Sequence, residues 1–365
     1  MTAYSCNSCG FPYPSKGLPH QCPHCGGVFG LRSLNFPTSQ TTKESPPGIW
    51  RYQSSFGLPP DASPIYLGEG NTPLVERVVR GKRVAFKLES LNPTGSFKDR
   101  GTAVLASFLK SRGISEVVED SSGNAGASLA AYTAALGIQS HIFVPESASG
   151  PKLQQMLISG AHVVRIPGAR EKAHQAALDY VKEKGLPYAS HALLPMGISG
   201  IATIAYELAE QLGTLPGTVI VPVGHGSMMI GLQLGLQALC AENPGCTLPI
   251  MVGVQPANCA PLAARWEHKA FEGIKGKSMA EGTQIENPVH ESEILAMLRP
   301  GQDQILAVDE GEIRAALYEL AGMGFYVEPT SAMVWAALTK NQQKLPEPIV
   351  LIISGFGLKF IQTKL

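Results

Sequence analysis

The stretch "EVVEDSSGNAGASLAAYTAALG", residues 116–137, changes its local character within a few residues. "EVVEDSS" reads as a strand, while "NAGASLAAYTAALG" is a small-residue helix closed by Gly137. Between them Ser121, Ser122, Gly123 and Asn124 leave the strand and open the helix. Backbone N–H groups exposed at such a point favour a carboxylate or a phosphate. Asn124 adds a neutral amide able to bond a phenolic or carbonyl oxygen. An N-cap followed by tight helix packing accounts for the same residues equally well.

The alternation continues in both directions. "RVAFKLE" (83–89) is a strand and "DRGTAVLASFLKSRG" (99–113) has helical spacing ending in glycine. "SHIFVPE" (140–146) and "AHVVRIPG" (161–168) are strands separated by a helical run. "TVIVPVG" (218–224) leads into the helix "SMMIGLQLGLQALC" (227–240), and "IMVGVQP" (250–256) follows. The last apolar strand is "EPIVLIISG" (347–355). Repeated β–α alternation without a fixed-period repeat implies an α/β architecture of parallel sheets covered by helices.

At 365 residues, 44% hydrophobic and 16% charged, the chain can bury a sizeable core in two domains plus a small appendage. Acidic and basic side chains balance, 29 against 29, which removes any global electrostatic reason to bind nucleic acid or an anionic membrane. No apolar run has the length needed to cross a bilayer, and "MTAYSCNSCG" is not a secretory signal, so a cytoplasmic location is expected. Cys6, Cys9, Cys22 and Cys25 form two Cys-x-x-C knuckles separated by twelve residues. Four thiolates on two tight turns suit a closed tetrahedral zinc site with no vacant position for substrate, so the metal is structural. Lys16 and Arg32 are the only basic residues among the first 40, too few for a phosphate-binding face. Cys240, Cys246 and Cys259 are scattered, and the odd total argues against a disulfide framework. Residues 1–30 thus read as a zinc ribbon and residues 31–65, rich in Ser, Pro, Thr and Gly, as a linker or arm.

In open α/β sheets ligands collect at the carboxyl ends of strands, and three further stretches stand there. "NPTGSFKDRG" (92–101) sets Lys98 after a turn of small residues. "VPVGHGSMMIG" (221–231) places Gly224, His225, Gly226 and Ser227 where consecutive amides turn toward one anion. It is neither a dinucleotide fingerprint nor a P-loop, because Met229 stands at the third glycine position and no Gly-Lys-Ser/Thr follows. A small phosphate monoester fits better. In "IISGFGLKF" (352–360), Ser354 offers a neutral hydroxyl that either meets a ring nitrogen or caps the turn.

An amine, an amide, a phosphate cradle and a neutral hydroxyl match the functional groups of pyridoxal 5′-phosphate. "GEGNTPL", "NPTGSFKDRG", "SSGNAGASLAAY", "VPVGHGS", "YVEPTSA" and "SGFGLK", in that order over residues 68–359, resemble the fold type II pyridoxal-phosphate enzymes, and among them the threonine synthases. The resemblance extends to the N-terminal zinc ribbon. It implies a tryptophan synthase β-like fold, with two open α/β domains and the cofactor in the cleft. The catalytic region is 66–365, with a smaller α/β subdomain inserted at approximately 100–200. By the same resemblance Lys98 is the Schiff-base lysine and Asn124 bonds the cofactor's 3′-oxygen. Gly224, His225, Gly226 and Ser227 hold its phosphate, and Ser354 meets the pyridine nitrogen. Ser121, Ser122, Gly123 and Asn124 receive the substrate carboxylate, and the protein is a homodimer.

The implied reaction is conversion of O-phosphohomoserine and water to threonine and phosphate. Family members commonly bind the substrate phosphate with an arginine in an "NPxR"-like segment. The corresponding "HALLPMGISGIATIAYE" (191–207) has Leu194-Pro195 and no arginine, which leaves Lys152, Arg165 or another residue to bind the anion. "AEGTQIENP" (280–288) is reminiscent of hydroxyamino-acid dehydratases. A serine/threonine ammonia-lyase, or a β-replacing synthase using O-phosphoserine or another activated serine, is the alternative. Lys87 and Glu89 read as a structural pair, Asp99 as a helix-start acid, and Glu328 as either a helix-start residue or a neighbour of the cofactor ring.

Overall fold

The computed structural model describes residues 4–36, 46–243, 245–341 and 345–360. Residues 37–45 of the expected arm lie outside this set. In chain order the strands β1 (Tyr4–Cys6) and β2 (Phe29–Leu31) are followed by β3 (Leu74–Val79), β4 (Lys82–Lys87), α1 (Lys98–Ser111), β5 (Glu116–Glu119) and α2 (Asn124–Ala135). Then come β6 (Gln139–Pro145), α3 (Pro151–Ile158), β7 (His162–Ile166), α4 (Arg170–Lys184), α5 (Met196–Leu212), β8 (Thr218–Pro222) and α6 (Ser227–Ala241). The chain finishes with β9 (Ile250–Pro256), α7 (Pro261–Trp266), α8 (Glu291–Met297), β10 (Gln304–Val308), α9 (Glu310–Gly322), α10 (Pro329–Asn341) and β11 (Ile349–Ile352). None of the described helices is long and apolar enough to cross a membrane.

The chain forms two compact units, one of residues 1–70 with 98–201 and the other of residues 71–97 with 202–365. In the first, β5, β6 and β7 make a parallel three-stranded sheet in that order. Its two faces bury separate cores. Ile142 and Val144 pack with Ala127, Leu153 and Met156 of α2 and α3, while Val118 and Phe143 pack with Ala177 of α4. Small residues let α2 sit close to its own entry turn: a Cβ on Gly126 would lie 2.0 Å from the Ser121 carbonyl oxygen. Gly137 then ends the segment at φ +66°.

β1 and β2 pair antiparallel, and this ribbon rests on the end of α1. Arg112 donates to the carbonyls of Gly17 and Pro14, both at 3.0 Å, and its guanidinium lies over Phe108. The arm is held to the same unit through Glu69, which accepts from Trp50 Nε1 at 2.9 Å and from Tyr132 OH at 2.7 Å.

The second unit carries a six-stranded sheet in the order β10-β9-β8-β11-β4-β3. Its strands are parallel except β3, which pairs antiparallel with β4 and departs from the all-parallel expectation. The reason is local. Arg80 (φ +50°) and Gly81 (φ +79°) make a two-residue hairpin turn, and the charged "LVERVV" is suited to an exposed sheet edge. The inner strands β8 and β11 are buried throughout, as strands covered on both faces must be. Phe86 stacks on Phe325 (4.4 Å) and Trp335 (5.9 Å) at the centre of this core.

Lys87, read from sequence with Glu89, bonds Glu207 Oε2 at 2.6 Å, the Thr72 carbonyl at 2.8 Å and Gln211 Oε1 at 2.9 Å. Glu89 accepts from Thr72 Oγ1 and Asn92 Nδ2. At the end of α6 a disulfide joins Cys240 to Cys246, six residues apart in sequence, a pairing that cysteine count and spacing did not reveal.

Candidate active site

Adjacent parallel strands in the second unit bring three chain segments to one sheet edge. β11 lies between β8 and β4, so the residues after Pro222, after Ile352 and after Lys87 all leave from the same side. After β8, Gly226 adopts φ +107° and caps α6. A Cβ there would meet Ile294 Cδ1 at 2.3 Å, so the turn accepts only glycine. Among the described residues no acceptor bonds the amides of Gly224, Gly226 or Ser227. His225 Nδ1 accepts from the Val289 amide at 3.4 Å, and its carbonyl accepts from the His290 amide at 3.2 Å. The imidazole is thereby held by the α8 approach.

After β11, the buried Ser354 places Oγ 3.1 Å from Ser331 Oγ of α10. Ser331 Oγ also accepts from the Gly355 amide at 2.9 Å. The group facing Ser354 is thus another neutral hydroxyl. After β4, the Phe97 amide donates to the Ser354 carbonyl at 3.0 Å, and Lys98 is the next residue of the chain. Ser96 Oγ is buried with no hydrogen-bond partner among the described residues. The Glu328 amide donates to the Gly355 carbonyl, and Glu328 is buried immediately before α10.

In the first unit Lys98 opens α1. The next residue, Asp99, is wholly buried and accepts from Ser128 Oγ of α2 at 2.6 Å. The acid therefore ties the lysine's helix to the helix opened by Ser121–Asn124. In that turn the Gly123 amide donates to Ser121 Oγ at 3.3 Å, while the amides of Ser121 and Ser122 have no acceptor among the described residues. Burial pushes the Lys98 amine down to about 8; Glu119 opposes this and Arg170 reinforces it.

Two carboxyls end β5 just before this turn. Glu119 is buried, with Oε1 2.8 Å from His191 Nδ1 and Oε2 without a hydrogen-bond partner among the described residues. Burial, with Asp120 beside it, holds its proton well above the usual carboxylate range. Burial also acts to raise Asp120, but hydrogen bonds from His174 (3.0 Å) and Tyr188 OH outweigh it and keep Asp120 below that range. The same contact with Asp120 raises His174. In the sequence Glu119 and Asp120 belong to the strand "EVVEDSS" and do not stand out. The signal was two acids closing a buried strand, where an apolar run is the norm. No local pattern marks His174 or His191, which arrive from 54 and 72 residues away.

The four N-terminal cysteines gather as their spacing suggests. Their Sγ atoms all lie within 4.8 Å of one another, with 3.5 Å from Cys6 to Cys25, 3.7 Å from Cys9 to Cys22 and 3.4 Å from Cys25 to Cys9. Four sulfurs at Zn–S bond length around one ion would stand about 3.8 Å apart.

Residues 65–355 match the family of pyridoxal-phosphate dependent enzymes, and the chain belongs to that family. Its relatives include the threonine synthase of Methanocaldococcus jannaschii, 32% identical over 375 residues that cover 97% of this chain and 92% of the relative. The threonine synthase of Mycobacterium leprae is 32% identical over 339 residues, 89% of this chain and 92% of its own. Among solved structures, a threonine deaminase from T.th. has a TM-score of 0.67 at 27% identity, covering 80% of this chain and 94% of that one. Maize serine racemase shares the fold, with a TM-score of 0.69 at 24% identity over 80% of this chain and 89% of that one.

Proposed function

We propose that this chain is a threonine synthase, converting O-phosphohomoserine and water to threonine and phosphate with pyridoxal 5′-phosphate as cofactor. The observation that carries the reading is relatives of that activity matching at 32% identity along nearly the whole of both chains. The residues fit the cofactor. Amides at Gly224, Gly226 and Ser227 with no acceptor among the described residues suit a phosphate. The buried hydroxyl of Ser354 suits a ring nitrogen without adding charge, and Lys98 supplies an amine held near 8.

When bound, the cofactor supplies an electron sink for charge developing on the amino acid. The chain does the rest. Lys98 Nζ takes and returns the protons of the reacting carbons, and its lowered basicity keeps a usable fraction unprotonated near neutrality. His225 joins the phosphate cradle through its backbone, since its ring nitrogen is engaged elsewhere. Asn124 would bond the cofactor's 3′-oxygen. Ser121, Ser122, Gly123 and Asn124 receive the substrate carboxylate, and the free amides of Ser121 and Ser122 support that role. Ser331 orients the Ser354 hydroxyl. A structural zinc ion would be held by Cys6, Cys9, Cys22 and Cys25, and the sulfur spacing supports it. Segment 100–200 is a subdomain inserted in the catalytic region 66–365, and the protein works as a cytoplasmic homodimer.

The absence of an arginine from 191–207 favours one second reading, a serine/threonine ammonia-lyase or a β-replacing synthase on an activated serine. Product assays separate them. Phosphate release from O-phosphohomoserine supports the first reading; 2-oxoacid formation from threonine or serine, or phosphate release from O-phosphoserine but not from O-phosphohomoserine, replaces it with the second.

A further inference from the structure

We propose that Arg170, the first residue of α4, is the cation that binds the phosphate ester of the substrate and sets the preference for phosphorylated amino acids. The inference deepens the reading above and rests on it for the substrate's chemistry. Its ground is the helix geometry. Arg170 and His174 are separated by four residues on α4, so their side chains share one face about 6 Å apart. His174 Nδ1 is fixed 3.0 Å from Asp120 Oδ2, directly before Ser121. Arg170 therefore projects one turn nearer the helix start, on the face turned toward the end of β5. β5, β6 and β7 are parallel, so the β7–α4 connection that carries Arg170 leaves the sheet at the same edge as the Ser121–Asn124 turn.

Arg170 is also available. Among the described residues its guanidinium takes part in no hydrogen bond or ion pair, and its side chain is exposed. Neither nearby carboxyl is bonded to it: Asp120 bonds His174 and Tyr188, and Glu119 bonds His191 through Oε1 while its Oε2 is buried without a hydrogen-bond partner among the described residues. Of the two cations suggested by sequence, Arg165 donates to the Glu146 and Ala148 carbonyls and is committed to its own loop. A cation at the start of a helix opposes the helix dipole, which favours acids there, so helix stability does not explain this residue. Its charge is felt at Lys98, Glu119, Asp120 and His174 together, as its placement beside them requires. With the substrate carboxylate on the Ser121–Asn124 turn, an adjacent guanidinium fork matches a second, phosphoryl anion.

The test uses cofactor-loaded enzyme, so that the cofactor's own phosphate cradle is filled. Inorganic phosphate is titrated calorimetrically into wild type, Arg170→Ala, Arg170→Lys and Arg165→Ala, and KM for O-phosphohomoserine is measured alongside. Arg170→Ala is expected to weaken phosphate binding and raise KM by about 10- to 100-fold, the scale of a charge-assisted contact. Arg170→Lys recovers part of the loss, Arg165→Ala matches wild type, and L-threonine, which carries the carboxylate without phosphate, binds all four proteins alike. Unchanged phosphate affinity and KM in Arg170→Ala, or an equal loss of L-threonine affinity, overturns the inference. If wild type binds phosphate through Arg170 but releases none from O-phosphohomoserine, the anion site stands and the threonine synthase reading falls.

Discussion

Two strand-to-helix turns of this protein use opposite electrostatic means. The turn at Gly224–Ser227 offers amides alone. Its one titratable side chain, His225, is held by the Val289 amide, and glycine geometry shapes the rest. The turn at Ser121–Asn124 follows two acids, and His174, His191, Tyr188 and Arg170 gather around its approach. A group held unchanged through a reaction is best gripped by fixed dipoles that do not titrate. A group whose charge and protonation change needs neighbours that can respond. The same contrast separates structural from responsive charge. Lys87 and Glu207 are buried and fully bonded, whereas Glu119 keeps one oxygen without a partner among the described residues.

The contrast meets its severest test at Lys98. Lys98→Ala is expected to lower turnover at least about a thousandfold, as loss of a positioned proton carrier does, and to abolish the absorbance of covalently held cofactor. Retention of that absorbance would remove the lysine from its role. Next comes the structural charge. Lys87→Met leaves Glu207 buried without its cation, which costs about 3–5 kcal/mol. Chemical denaturation should register that loss, and an unchanged midpoint would mean that the pair is not structural.

Gly226→Ala tests the dipole turn, since its Cβ enters the space of Ile294 at an unfavourable φ. Strain and overpacking of about 1–3 kcal/mol predict roughly 10- to 100-fold weaker cofactor retention in equilibrium dialysis. Full retention would show that the turn tolerates a side chain.

The responsive turn is probed by pH. In apoenzyme the rate at which Lys98 reacts with an aldehyde should rise through about 8, rather than through the ordinary 10.5. Above the lower value the amine is free; below it the proton blocks attack. Between the two values the unfolded chain binds more protons at this lysine, so its penalty on apoenzyme stability is full below 8 and relieved as pH rises. Because Arg170 acts to lower Lys98, Arg170→Ala should move the reactivity midpoint upward; a midpoint that stays in place would separate the two residues. The smallest effect on turnover is expected from chelating the metal, which loosens residues 4–31 around the four thiols. Loss of activity in step with metal content, with the remaining fold intact, would refute a purely structural ion.

Much of this was legible along the chain because it depends on neighbours in sequence. The knuckles at Cys6–Cys9 and Cys22–Cys25, the strand-to-helix turns and the buried runs of β8, β9 and β11 are each specified within about ten residues, through backbone reach and side-chain periodicity. The edge strand β3 is not legible in the sequence because its charges, compatible with an exposed edge, disrupt the apolar pattern that marks strands. The Glu207 partner of Lys87 is hidden for a related reason: Glu89 is near in sequence, whereas Glu207 comes from α5.

The α/β alternation, the lysine and the amide-bearing turns are each written in contiguous residues under local steric rules, and the chain's order of residues is enough to set them. Which charges accompany Lys98 is a matter for the folded molecule. His191 meets Glu119, His174 meets Asp120, and Arg170 is left uncommitted through a sheet register and a helix face that bring together segments tens of residues apart. Burial then raises Glu119 and lowers Lys98, while hydrogen bonds hold Asp120 low and His174 high, and both belong to the folded chain alone.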